Sequence, residues 1–462
     1  MNGQKKLGLG SGMAICMGLI VATSCLVSLG QGYGLAGKSF TAALVIVAVL
    51  NAFIALSFSE LNHIMPNVTG GLGQYMLVGL GPWASIVSNI SAYAITMVFA
   101  ASVELAMTGI VLNGLFPAVP AAVFSVAVVL LLYALNLFGV DIFAKVQNVT
   151  VILLIGSMAA LGIMGVFGLG TGELVSAELV APPMSSAGDV ISLSAIAFWL
   201  FIGVEFVIPV SREMKNPRRN VPLSMCLALL VLLVIQSVLG SGMTNYIGTE
   251  VLLTADMPHI AYAEQLLGEG GRIWMSIVTL LAAVSTMNTV LPTVGKILQG
   301  MSDEGMMPRV FGRTNGRGAP YVGMSLLVVC ILIMILTGYV NSGGLINMIL
   351  AGSCFWLASY ILTHLNVLVL RRRYPNAERN KKLMLAGLPQ IIGMLGCVYM
   401  IWNISSDMDS RVRIYKLFFV LFAALAVFAL IWCKAVLKAK PFEPTYIGKM
   451  NVDKSINAKT SL

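Results

Sequence analysis

The chain has 462 residues, 58% hydrophobic and only 10% charged, where an ordinary soluble protein carries roughly 25% charged residues. Such a composition cannot cover a globule with polar side chains, so lipid is the solvent. The net charge of +9 sits in short loops between apolar runs, not on a face interleaved with aromatics, which argues against nucleic acid as a partner.

Lys5 and Lys6 precede an apolar run that resembles a signal peptide. It is long enough to span a bilayer, however, and lacks a convincing small-x-small cleavage site, so it reads as a first transmembrane helix. A window of roughly 19 residues predicts twelve spans: 11–36, 41–65, 84–114, 120–138, 147–169, 190–211, 221–245, 273–299, 320–340, 344–369, 384–404 and 412–434. The stretch between the second and third is too broken to cross. Residues 435–462 gain lysine and read as a loosely ordered tail. The seven cysteines all lie in apolar runs without metal or redox spacing and read as small buried hydrophobes. His63, His259 and His364 are isolated and read as helix-end or loop residues; no metal site is predicted.

With both termini inside, 23 of the 28 Lys and Arg residues face the cytoplasm, Lys145 and Lys296 among them. Nine acidic residues, Glu173, Glu178, Asp189, Glu250, Asp256, Glu264, Glu269, Asp407 and Asp409, fall in the outer loops. This asymmetry predicts a multi-pass protein of the cytoplasmic (inner) membrane with cytoplasmic termini.

Two spans are interrupted. The first carries Ala22, Thr23 and Ser24 at its middle, and the sixth, "FWLFIGVEFVIPV", carries Gly203, Glu205 and Pro209. A free carboxylate at that depth costs several kcal/mol even on lenient scales. The breaks lie roughly 180 residues apart, as the two halves of an inverted repeat would place them. A half-helix starting at the first break offers N–H groups to a carboxylate, and carbonyls freed at the second can accept from an ammonium. The hydroxyls at 23 and 24 also have a structural reading, as bonds back to the preceding turn.

Three stretches carry a resemblance: "FWLFIGVE" followed by "EMKNPRRNVP", "FSELNHIMPNVTGGLGQY" (58–75) and "GKILQGMSDEGMMPRVF" (295–311). In this order they resemble the amino acid–polyamine–organocation transporter superfamily, over its first ten helices. The resemblance implies an all-α membrane protein of twelve helices. Its core would be a five-plus-five inverted repeat with helices 1 and 6 broken, repeat one at about 11–169 and repeat two at about 190–369. Two peripheral helices (370–434) and the tail follow the ten-helix core of residues 1–369. By the same likeness, N–H groups around Ala22, Thr23 and Ser24 hold a substrate carboxylate, while carbonyls near Trp199, Leu200 and Ile202, beside Gly203, hold its amine. Trp199 falls where the arginine/agmatine antiporters place an aromatic gate. The family usually has Gly-Ser-Gly at the first break, so Ala22-Thr23-Ser24 departs from it and points to an unusual substrate or to hydroxyl participation.

Glu205 is the coupling candidate, as a buried carboxyl able to load and release a proton; a purely structural role at the break is the other reading. Sodium is the competing ion, because Ala282, Ser285 and Thr286 lie at i, i+3 and i+4 of the eighth helix. Glu104 in the third span either pairs with a cationic substrate or lines a polar crevice near Tyr93. The resulting expectation is a secondary active carrier, symporter or exchanger, for an amino acid or related amine, with no cofactor beyond a coupling ion and no enzymatic activity. A transport-inactive sensor of the same fold is the alternative, and a homodimer is left open.

Overall fold

The computed structural model describes residues 6–448 apart from 67, 69, 139, 183, 185, 339–344, 380–384 and 406. Lys5, Lys381, Lys382, the tail beyond 448 and the predicted span ends at 340, 344 and 384 lie outside the described residues. Within them every regular element is helical.

The first predicted span is two helices, α1 (Leu9–Ile20) and α2 (Thr23–Ala36). Then come α3 (Phe40–Ile64) and the short α4 (Leu72–Gly79), the latter in the stretch too broken to cross. Helix α5 (Pro82–Leu115) contains a π-helical turn at Ile90–Ile95, and α6 (Ala121–Asn136) and α7 (Val140–Val166) follow. The sixth predicted span is more fragmented than its apolar run suggests: α8 (Ala187–Ser192), α9 (Ser194–Phe198), a turn, and a 3-10 helix over Val204–Glu213. Pro209 lies inside that 3-10 segment; a residue without an N–H, whose ring crowds the carbonyl four back, disfavours regular α-helix there. Helix α10 (Pro217–Tyr246) comes next. Two short helices, α11 (Thr249–Thr254) and α12 (Pro258–Leu267), occupy what charge alone marked as an outer loop. The chain continues through α13 (Glu269–Asp303), α14 (Tyr321–Leu336), α15 (Leu345–Arg373), α16 (Leu388–Trp402) and α17 (Met408–Ala435).

Among the described residues, eight continuous helical segments are long and apolar enough to cross a membrane, and α1, α6 and α14 are shorter apolar helices. Burial separates inner helices from outer ones. The most apolar stretch of α13 is 78% buried and that of α15 67%, whereas that of α17 is only 22% buried. Helix α1 packs on α7, α10, α13 and the 3-10 segment, so the two broken segments meet α13 at the centre of the bundle.

One end of this centre is tied shut. The Leu7 N–H donates to the Glu213 carbonyl (2.8 Å), and the Lys215 N–H donates to the Leu7 carbonyl (2.9 Å). Lys296, counted among the cytoplasm-facing cations near the end of span 273–299, lies within α13, largely buried, with its ammonium on the Glu213 carboxylate. A Cβ at Gly70 would stand 2.5 Å from the Lys296 carbonyl oxygen, so the α3–α4 loop closes over the same point. Near α3's last turn Glu60 is paired with Arg371 (2.7 Å) and Arg379 (3.0 Å).

Two smaller expectations are corrected. His364 is no helix-end residue: it is buried in mid-α15 with Nδ1 2.9 Å from the Ser57 hydroxyl. Cys226 is exposed on α10 and not a buried hydrophobe, because its turn of the helix faces outward.

Candidate functional site

The first break is built without glycine. Val21 (φ −82°, ψ 78°) and Ala22 (φ −95°, ψ 164°) both leave the helix with negative φ, so side chains are tolerated at both. The break starts α2 anew and exposes its first N–H groups, which have no partner within the helix. The Thr23 N–H donates to Glu104 Oε1 (2.6 Å) and the Ser24 N–H to Glu104 Oε2 (3.3 Å). Glu104 reaches across from α5 and is fully buried. Its carboxylate therefore lies at the positive end of the α2 dipole, on the two N–H groups the sequence assigns to a substrate carboxylate.

The second break does need glycine. Gly203 has φ +109°, and a Cβ there would stand 2.3 Å from Leu19 Cδ2. Gly203→Ala is expected to destabilise the protein by ~2 kcal/mol or more, from left-handed strain plus overpacking. A thermal melt in detergent checks it, and an unchanged midpoint would refute this account of the turn.

The two breaks touch. The Trp199 indole N–H donates to Ser24 Oγ (3.2 Å), the Cys25 thiol lies on the Ile20 carbonyl (2.7 Å) and the Trp199 carbonyl (3.3 Å), and the Cys16 thiol lies on the Val204 carbonyl (3.1 Å). The Leu200 carbonyl accepts from Gln236 Nε2 (2.9 Å). Glu205 is buried and accepts three hydrogen bonds: from the Tyr93 hydroxyl (3.0 Å) and the Trp356 indole (2.8 Å) at Oε1, and from the Tyr360 hydroxyl (2.8 Å) at Oε2. Tyr93 sits on the π turn of α5, a type of insertion frequent at functional sites. It serves Glu205, not Glu104.

A narrow cavity, about 20 Å³ in volume, opens between the breaks. Of the residues expected at the site, Ala22, Ser24, Trp199, Ile202, Glu104 and Thr286 form its walls, joined by Met97 and Trp356. Thr23, Leu200, Gly203, Tyr93 and Glu205 are not among its lining residues. Glu104 is the one charged side chain among the described lining residues.

The trio considered for sodium is engaged within the protein. The Thr286 hydroxyl donates to the Gly18 carbonyl (3.2 Å), and Gln147 Nε2 donates to Ser285 Oγ (2.8 Å) and the Ala14 carbonyl (3.1 Å). Ala282 is buried beside them. Asn288 Nδ2 donates to Gln147 Oε1 and Asn136 Nδ2 to Asn288 Oδ1, both at 3.0 Å, which extends the network to α6. Sequence reading missed Gln147, Trp356 and Tyr360. Gln147 is visible only as a polar residue at the start of an apolar run; Trp356 and Tyr360 share an i, i+4 face on α15.

A family model described as "Amino acid permease" matches residues 12–446. The branched-chain amino acid permease BcaP of Bacillus subtilis (strain 168) is 26% identical over 411 residues, covering 84% of this chain and 85% of that protein. The putrescine transporter PotE of Escherichia coli (strain K12) is 23% identical over 376 residues, covering 79% and 82%. Among solved structures, a manganese transporter from Eremococcus coleocola, in complex with an aromatic bis-isothiourea substituted compound, superposes with a TM-score of 0.62 at 14% identity, over 92% of this chain and 94% of that one. At that identity the likeness concerns the fold. Among the described residues no group of three His, Cys, Asp or Glu is placed to hold a metal ion.

Proposed function

Because the chain belongs to the amino acid permease family, a family of membrane transporters and not of enzymes, we propose that it is a secondary active carrier. It moves an amino acid or related amine across the cytoplasmic membrane by alternating access, as symporter or exchanger. One observation carries the reading: two interrupted segments meet at the centre of the bundle and wall a cavity between their breaks. Such an arrangement lets one site face either side as the two halves rock. The substrates these relatives are named for, a branched-chain amino acid and putrescine, fit the class.

In this reading the bundle comprises twelve spans with both termini cytoplasmic. Residues 11–169 and 190–369 form the two repeats, and 370–434 the two peripheral helices; the weak burial of α17 supports that division. The substrate lies against Ala22, Ser24, Trp199, Ile202 and Glu104.

Glu205 is the proton-coupling residue. It is not among the lining residues but accepts from one of them, Trp356, so a change in its charge reaches the site through one indole. Sodium is the competing ion, with the Thr286 hydroxyl beside the Gly18 carbonyl and Ser285 Oγ accepting from Gln147. Counterflow in proteoliposomes, loaded with a panel of amino acids and amines, tests the carrier reading. The same assay should be unaffected when choline replaces sodium, and Glu205→Gln should flatten its pH dependence. Counterflow with no member of the panel would leave a transport-inactive protein of this fold, and an unchanged pH profile in the variant would move coupling elsewhere.

A further inference from the structure

The geometry points to an amine that carries no carboxylate as the substrate, because Glu104 supplies from within the chain the carboxylate that the first break would otherwise take from its cargo. The inference rests on the carrier reading above and narrows the substrate class of that site.

Three observations converge on it. The Thr23 and Ser24 N–H groups, the first donors of α2, are both directed at Glu104 at 2.6 and 3.3 Å. A substrate carboxylate would have to displace a fully buried carboxylate from them. The described cavity lining holds no Lys or Arg that could pair with a second anion, and its charged member has the wrong sign. A carboxylate entering there meets like charge among mostly apolar side chains, where charges are less screened than in bulk water.

An ammonium meets the opposite situation. A carboxylate has about four acceptor positions; the Thr23 and Ser24 N–H groups and the Thr23 hydroxyl take up three at most, and the remainder of Glu104 is left for a cationic donor. Around it stand Met97, Ile202 and the indoles of Trp199 and Trp356. Both indole N–H groups are engaged, with Ser24 and with Glu205, so what these two lining residues offer the cavity is their apolar rings. Aromatic faces suit an alkylammonium and its chain. The carbonyls of the second break are in part engaged by Cys25 and Gln236, so Glu104 is the principal partner for the amine.

The test sets each amino acid against its decarboxylated counterpart, in proteoliposomes of the full chain: ornithine with putrescine, lysine with cadaverine, arginine with agmatine, and the neutral amino acids with their primary amines. Binding is read in parallel from tryptophan fluorescence. The amine of at least one pair should be preferred about tenfold or more, the scale of one charge-assisted contact. Glu104→Gln keeps an acceptor for the Thr23 N–H and should lower amine uptake about tenfold. Glu104→Ala frees both N–H groups and should shift preference toward the carboxylated member. Transport that favours the amino acid in every active pair overturns the inference and leaves the carrier reading intact. So does amine uptake unchanged in a folded Glu104→Gln protein. If no member of any pair is bound or transported, the carrier reading falls and the inference with it.

Discussion

Glu205→Ala is expected to lose most of the fold's stability in detergent and all transport. Three buried donors, on Tyr93, Trp356 and Tyr360, converge on this carboxylate. Each side chain is 2% exposed or less, so water cannot replace the lost acceptor. An orphaned buried donor costs about 1–3 kcal/mol. Two of the three are hydroxyls that can rotate toward other acceptors, so the sum should fall near 3–6 kcal/mol and not at its upper bound. That is a large part of the ~5–15 kcal/mol by which folded proteins are stable. Glu205→Gln should behave differently. Its amide oxygen can accept from Tyr93 and Trp356, while its NH2 meets a Tyr360 hydroxyl that can accept in turn. Thermal melts of the two variants separate the roles: alanine should melt well below wild type and glutamine close to it. An alanine variant with a native midpoint would mean that the three donors find other partners.

Lys296→Ala is the second large effect. Its ammonium is buried and pairs with Glu213, whose other carboxylate oxygen has no hydrogen-bond partner among the described residues. Removing one member of a buried pair leaves the other charge uncompensated, typically at about 3–5 kcal/mol. Glu213 is 31% exposed, and solvent should reduce the loss to about 2–4 kcal/mol. Adding Glu213→Ala should restore part of it, since the double variant holds no unpaired charge. A double-mutant cycle by thermal melt measures the coupling, and strictly additive losses would show that the pair contributes nothing. The pair also joins α13 to the end of the 3-10 segment where Leu7 is bound, so its loss should loosen that closed end.

Much of the bundle was legible because apolar runs, breakers and charged loops are one-dimensional signals. The first break coincides with the predicted one, and Gly203 and Glu205 mark the second. Sequence could not supply partners. Nothing in "ASVEL" says that Glu104 reaches the N-terminus of α2, some eighty residues away in the chain, and Tyr93 read equally well as a neighbour of Glu104. Lys296 read only as a cytoplasm-facing cation near the end of span 273–299, because hydropathy cannot distinguish a charge at a helix end from one folded inward onto a carboxylate. The fragmentation of the sixth span beyond its glycine follows from Pro209 and from packing on α1, and only the proline is visible in the sequence. The Gln147 network needed three helices in register before its members became neighbours.

The first break is made by Val21 and Ala22 in backbone that any L-residue can adopt, whereas the second depends on a glycine. The opening of the first segment is thus decoupled from the identity of the residues that line it. Position 22 can drift in size and polarity without closing the break, and in a lineage this wall is where selectivity for new cargo can evolve at little cost to folding. Position 203 has no such freedom. One half of the site is evolvable and the other is held fixed as the frame on which that variation acts.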